Sequence, residues 1–315
     1  MRTAFGLDEP LPGSACPVLA LGTFDGVHLG HQQVIRHAVA RARAVGGSAV
    51  VVTFEPHPLE VLRPGADPVL LTTVEERLAL IEQLGADATI VVPFDLAFSR
   101  IPAQVWLDGI LRGRLGACEI VAGSSYTFGH RREGTAASLL AWGRAHDVPV
   151  HLVPAVLASG EPVSSSRIRS ALREGLVDEA ARLLGRWYRL PGRVVPGSGR
   201  GRTIGVPTAN LEPSPRKVLP GRGVYATLVE VGGRRYGGAT NIGYRPTFGG
   251  TVLAIETHLL AFEGDLRDAA VALSFVGRVR DERAFPGPDE LVRQIREDVA
   301  RVRQLLAAAG PDIIQ

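Results

Sequence analysis

Lysine is nearly missing from this chain: Lys217 is the one lysine among 35 basic residues in a sequence of 315. A Walker-type phosphate loop needs a lysine directly after its glycines, and no such sequence occurs. Any use of ATP must then rest on histidine, arginine, backbone N–H groups and metal. Cysteine is as scarce. Cys16 and Cys118 are the only two. They share no motif spacing with each other or with a histidine pair, so they indicate neither a zinc site nor a disulfide framework. A reducing cytoplasm is the expected setting. No apolar run approaches the roughly 18 residues that would span a bilayer, so no membrane partner is expected. The opening residues MRTAFGLDEP carry acids and lack an apolar core, and do not read as a signal peptide.

What is present is an ordinary globular composition, 45% apolar and 21% charged. The length fits two domains at roughly 100–200 residues each. The net charge is +3. A basic balance can signal nucleic acid, but the arginines are dispersed and the later strands carry no aromatic clusters. Anionic small molecules account for them at least as well, and no nucleic-acid partner is expected. The oligomeric state is not legible.

The first half alternates short β-branched runs (18–22, 48–54, 88–93, 118–122 and 148–153) with helical stretches (31–45, 74–84, 102–111 and 135–146). Strict alternation predicts a parallel sheet with helices on both faces. Two short helical stretches, 166–173 and 177–184, close this half. After Gly185 the chain turns to glycine, proline and short alternating strands at 190–195, 223–231, 234–241, 253–260 and 270–275. That pattern predicts an antiparallel β-barrel, followed by one helix from Pro288 to Ala308. The expected domains are 1–185 and 186–315.

The strongest local signal runs from Gly22 to His31, GTFDGVHLGH, between the first predicted strand and the first helix. Gly22, Gly26 and Gly30 permit close approach of a ligand to the backbone, and the helix start offers free N–H groups to an anion. His28 and His31, three apart, can face one phosphate chain. The plain alternative is a glycine-rich turn with two surface histidines. Three further segments fall where an α/β sheet places its ligands: TFEPHP at 53–58, GSSYTFGH at 123–130, and VSSSRIR at 163–169, where serines and Arg169 meet a helix start. Read singly, the first is also a proline-rich loop and the last also a serine N-cap.

The second half has its own cluster. A glycine- and arginine-bearing loop, 197–205, precedes Pro207-Thr208-Ala209-Asn210. A hydroxyl and an amide two apart are hard oxygen donors suited to Mg²⁺ shared with nucleotide phosphates. Glu256, in the strand IETHLL, can act as general base on a hydroxyl; a solvent-facing strand carboxylate is the alternative.

The order GTFDGVHLGH, TFEPHP, GSSYTFG, SSSRIR, PTAN resembles the bacterial bifunctional riboflavin kinase/FMN adenylyltransferases over nearly the whole chain. The resemblance implies a nucleotidyltransferase-type parallel-sheet domain of the HxGH class, then an antiparallel barrel with a C-terminal helix. It implies phosphorylation of riboflavin to FMN and adenylylation of FMN to FAD, with ATP as substrate and Mg²⁺ as cofactor. By it, Gly22, Phe24, Asp25, Gly26, His28, His31, Ser165 and Arg169 hold ATP in the first half, as Gly199 and Thr208 do in the second. His57, Pro58 and Ser125 border the flavin of the adenylylation site, and Arg245 that of the kinase site. Thr208 and Asn210 hold the metal, and His28, His31 and Glu256 are catalytic. Ser125 stands where the family usually has asparagine or aspartate, and Leu266-Arg267-Asp268 where it commonly has leucine-tyrosine-glycine. A single-activity or re-purposed paralogue is therefore the alternative.

Overall fold

The computed structural model describes residues 1–8, 16–65, 70–197, 205–247 and 250–310, with the side chains of 245–247, 250–252 and 288 left aside. Two compact units divide at Ser165/Ser166.

The first unit is built on six parallel strands: β1 (Arg2–Phe5), β2 (Pro17–Leu21), β3 (Ser48–Glu55), β4 (Ala88–Pro93), β5 (Glu119–Gly123) and β6 (Val150–Val153), in the order β1-β4-β3-β2-β5-β6. Period-2 alternation sends each strand's residues to two apolar layers. One layer joins Leu19, Leu21, Val50, Val52, Ile90 and Ile120 to Trp106, Leu107, Leu111, Leu139 and Trp142. The other joins Val18, Ala20, Val51 and Val121 to Val34, Ile35, Ala38 and Val39 of α1 (Leu29–Ala44) and Ile81 of α3 (Val74–Gln83). Burial on both faces is why these strands read as unbroken apolar runs. Between β3 and α3 lies the short α2 (Pro58–Leu62), and α4 (Ala136–Ala145) precedes β6. The helical stretch predicted at 102–111 is a π-helical segment at Val105–Arg114.

Strand order reverses between β2 and β5. The chain runs outward from β2 through β3 and β4 on one side, and from β5 to β6 on the other. Their carboxyl ends form the switch point at which such sheets bind ligands.

The second unit holds α5 (Ser165–Arg173) from its second residue onward, and α6 (Val177–Leu184), together with a closed six-stranded barrel. Its strands are β7 (Tyr188–Val195), β8 (Ala209–Pro213), β9 (Gly223–Val231), β10 (Arg234–Thr247), β11 (Gly250–Leu259) and β12 (Ala270–Arg280), in the order β7-β8-β11-β10-β9-β12. α6 buries Val177, Ala180, Leu183 and Leu184. The final helix, α7 (Pro288–Ala309), buries Val302 and Leu306 with Ala226, Leu228 and Val276. Arg280 fixes it by donating from Nε and Nη2 to Asp298, at 2.9 and 2.8 Å.

Candidate active sites

The loop after β2 is shaped by backbone that few sequences tolerate. Phe24, Gly26 and Val27 all have positive φ, at 51°, 83° and 39°, a strained setting for the two non-glycine residues. Burial holds it: Phe24 and Val27 are each 1% exposed. Asp25 turns inward, fully buried, and its carboxylate accepts from the backbone N–H groups of Leu71 and Thr72 at 3.0 Å. Gly26 N–H donates in turn to Thr72 Oγ1 at 3.0 Å. Asp25 is thus a clasp that holds the loop on the segment before α3.

His28 is the N-cap of α1. Its Nδ1 accepts from His31 N–H at 3.3 Å, and the two rings stack with centroids 3.6 Å apart. Phe24 meets His31 edge-on at 5.3 Å. A Cβ on Gly30 would stand 3.2 Å from the His28 ring, and one on Gly22 3.0 Å from the Phe24 ring, so both glycines make room for these aromatics. Ser165 joins the same place: its Oγ donates to the Asp25 carbonyl at 3.0 Å. Arg169 lies one turn further along α5 and is buried.

Around this loop stand the ends of the neighbouring strands. His57 caps α2 through Nδ1, accepting from Leu59 N–H at 3.1 Å, while Glu60 accepts from His57 N–H at 3.0 Å; Pro58 is the first helical residue. Ser125 is exposed on the turn after β5. The loops of β3, β2 and β5 are therefore neighbours at one edge of the sheet. Sequence reasoning missed Arg77. It is fully buried and donates to the carbonyls of Thr23 and Phe54 at 3.2 and 2.9 Å, to Thr53 Oγ1 at 3.0 Å, and to Glu55 at 3.3 Å. One guanidinium ties the histidine loop to the end of β3. The available signal was an arginine four residues before Ile81, on the buried face of α3.

On the barrel, Cα pairing sets Asn210 opposite Glu256, and Glu256 opposite Asn241, across β8, β11 and β10. Residues of the other parity point inward. Thr227, Thr240 and Thr257 form a buried hydroxyl chain with oxygens 2.7 and 3.0 Å apart, beside buried Leu211, Ile242 and Ile255. The amide–carboxylate–amide row consequently lies on the outer face, half-buried. Asn241 is an addition that the sequence did not single out. Gly197 is packed so closely on Asn210 that a Cβ there would overlap its amide. Thr208 is exposed, two residues before Asn210. Gly199 lies outside the described residues, as does the side chain of Arg245, whose backbone belongs to β10.

A parallel-sheet unit with a histidine-bearing glycine loop at its switch point, followed by a barrel with an amide–carboxylate row, defines a two-part nucleotide-dependent transferase. The FAD synthetase family model matches residues 14–167, and the riboflavin kinase model residues 184–306. The bifunctional riboflavin kinase/FMN adenylyltransferase of Bacillus subtilis (strain 168) is 39% identical over 89% of this chain and 90% of its own length. That of Escherichia coli (strain K12) is 34% identical over 95% and 96%. A solved Streptococcus pneumoniae chain, described as a macrolide-efflux protein, superposes with a TM-score of 0.87 at 34% identity, covering 96% of this chain and 99% of that one. The efflux description is that protein's own; among the described residues here, no helix is long and apolar enough to cross a membrane. This chain belongs to the bifunctional riboflavin kinase/FMN adenylyltransferase family.

Proposed function

We propose that this chain performs both steps: phosphoryl transfer from ATP to the riboflavin 5′-hydroxyl, giving FMN and ADP, then adenylyl transfer from a second ATP to FMN, giving FAD and pyrophosphate. The observation that carries the reading is the presence in one chain of the capped, stacked His28–His31 pair at the switch point and the Asn210–Glu256–Asn241 row on the barrel.

In adenylyl transfer an oxygen of the FMN phosphate attacks the α-phosphorus of ATP and pyrophosphate leaves. Gly22, Phe24, Asp25 and Gly26 set the loop. His28, His31, Ser165 and Arg169 supply donors and positive charge where negative charge gathers on the leaving group. His57, Pro58 and Ser125 border the incoming FMN. Such chemistry is positioning plus electrostatic stabilisation, with no covalent intermediate.

In the kinase step Glu256 accepts the proton of the 5′-hydroxyl as its oxygen attacks the γ-phosphorus and ADP leaves. Thr208 and Asn210 fit Mg²⁺: both offer hard oxygens, and the absence of a side chain at Gly197 gives the Asn210 amide its place. When bound there with ATP, the ion would neutralise phosphate charge. By the resemblance that motivates this reading, Gly199 is assigned to the nucleotide and Arg245 to the flavin. For chemistry, the boundary is at Gly185: every adenylylation residue precedes it and every kinase residue follows it. A cytoplasmic setting supplies both substrates.

The test is incubation of the protein with riboflavin, ATP and Mg²⁺ and chromatography of the products. FMN and FAD are both expected. Accumulation of FMN alone, or FAD only when FMN is supplied, would establish a single-activity enzyme instead.

A further inference from the structure

The outer face of β11 carries a second functional side chain beside Glu256. His258, two residues along on the same face, is within hydrogen-bonding distance of the Pro207 carbonyl, 2.9 Å from its Nδ1. Facing a carbonyl, that nitrogen has to carry the hydrogen and donate. Pro207 immediately precedes Thr208. Pairing of β8 with β11 begins one residue later, at Ala209 opposite Thr257. Pro207 has no N–H to give to a ladder, so its carbonyl is the backbone group it can offer. The contact links residues 51 apart in sequence and fixes the chain just where Thr208 leads into the strand bearing Asn210.

We propose that His258 is a positioning residue for the kinase step: its Nδ1–H holds the Pro207 carbonyl and so sets Thr208 and Asn210 in register with Glu256. This rests on the reading of Thr208 and Asn210 as the phosphate and cation ligands. Glu256 and His258 then divide one strand face between them, one acting on the hydroxyl and the other on the geometry of the nucleotide's ligands.

The experiment compares His258→Ala, His258→Asn and His258→Gln in the full chain. An asparagine amide can occupy the place of Nδ1, whereas a glutamine amide reaches the place of Nε2. His258→Ala and His258→Gln should raise the apparent KM for ATP and Mg²⁺ in FMN formation roughly 3- to 10-fold, the worth of one net hydrogen bond. KM for riboflavin and FAD formation from supplied FMN should be unchanged. His258→Asn should restore both constants. Independently of activity, amide hydrogen exchange across residues 205–211 should quicken in His258→Ala and return to normal in His258→Asn. Equal behaviour of the asparagine and glutamine variants, or unaltered constants and exchange in His258→Ala, would overturn the proposal. Thr208→Ala and Asn210→Ala separate the two levels. If they leave FMN formation intact, the ligand reading itself fails; if they abolish it while His258→Ala is normal, only the positioning role fails.

Discussion

His28 Nδ1 accepts the backbone N–H of His31 at 3.3 Å, and the two rings stack at 3.6 Å. With Nδ1 engaged as an acceptor, a neutral His28 ring carries its hydrogen on Nε2. Under the proposed function, that Nε2 hydrogen is the one directed to a phosphate oxygen. The helix start and the chemistry are coupled, because the side chain that ends the orphan N–H of His31 is the one proposed to meet ATP.

That coupling separates the two histidines experimentally. His28→Ala and His31→Ala should each lower FAD formation on the order of 100- to 1000-fold, the usual cost of one transition-state donor. FMN formation should be spared. Only His28→Ala should also cost about 1 kcal/mol of stability, through loss of the N-cap. His28→Asn keeps a capping group and should recover the stability without the activity. Equal losses in both reactions would mean misfolding or shared sites, and chromatography of both products with thermal melts distinguishes these results.

Much of this arrangement was legible because its residues act locally. The GTFDGVHLGH run sits between a buried strand and a helix, and β2 to β5 announce themselves as runs buried on both faces. Two strands were not legible. β1, on the sheet edge, is four residues long and leaves Phe5 61% exposed, so it lacks an apolar run. β8 carries the motif residues Ala209 and Asn210 and buries Leu211 alone; its polar character reads as loop. The role of Arg77 and the inward hydrogen bonds of Asp25 were not legible for another reason. Their partners lie 22 to 54 residues away, and only the folded chain shows that a charged group is consumed by backbone.

Glu119 offers a pH-dependent test of the first unit. Arg41 donates to its two oxygens at 2.8 and 2.7 Å, and His151 Nε2 lies 2.9 Å from one of them. The Arg41 hydrogen bond, against opposing burial and with help from His151, holds the carboxyl below the usual range. A carboxyl depressed on folding stabilises above its unfolded pKa of about 4.3 and loses that contribution as pH falls through the folded value. Glu119→Gln should therefore be destabilised at neutral pH. The gap to the parent protein should close progressively below about pH 4. Urea melts across pH 3–8 measure it; a gap constant with pH would refute the ionic role.

Cys118 gives a second pH signature. Burial first, then a hydrogen bond with Cys16, pushes its thiol up to about 11. The thiolate is the reactive form. Alkylation of native Cys118 should rise about tenfold per pH unit from pH 7 to 10 without levelling. At pH 8 it should run roughly 100-fold or more below the rate in urea, where the thiol returns to about 8.5. Peptide mass spectrometry after iodoacetamide pulses reports it, and a plateau near pH 8.5 in the native protein would contradict the environment described.

Glu256 is the sharpest test of the kinase half. Glu256→Gln keeps the length of the side chain and its place opposite Asn210 and Asn241, but cannot accept a proton. A riboflavin hydroxyl is a poor nucleophile, so a positioned base should contribute roughly 100- to 10,000-fold. The expected signature is a fall of that size in kcat for FMN formation with riboflavin KM little changed, because the contact matters mainly in the transition state. FAD formation from supplied FMN should be normal, since the proposed function assigns that step to the His28–His31 loop. Phosphoryl transfer can also pass through a loose transition state that asks little of a base. Near-normal kinase turnover in Glu256→Gln would therefore make the carboxylate structural, and leave the step to Thr208, Asn210 and the cation they are proposed to hold.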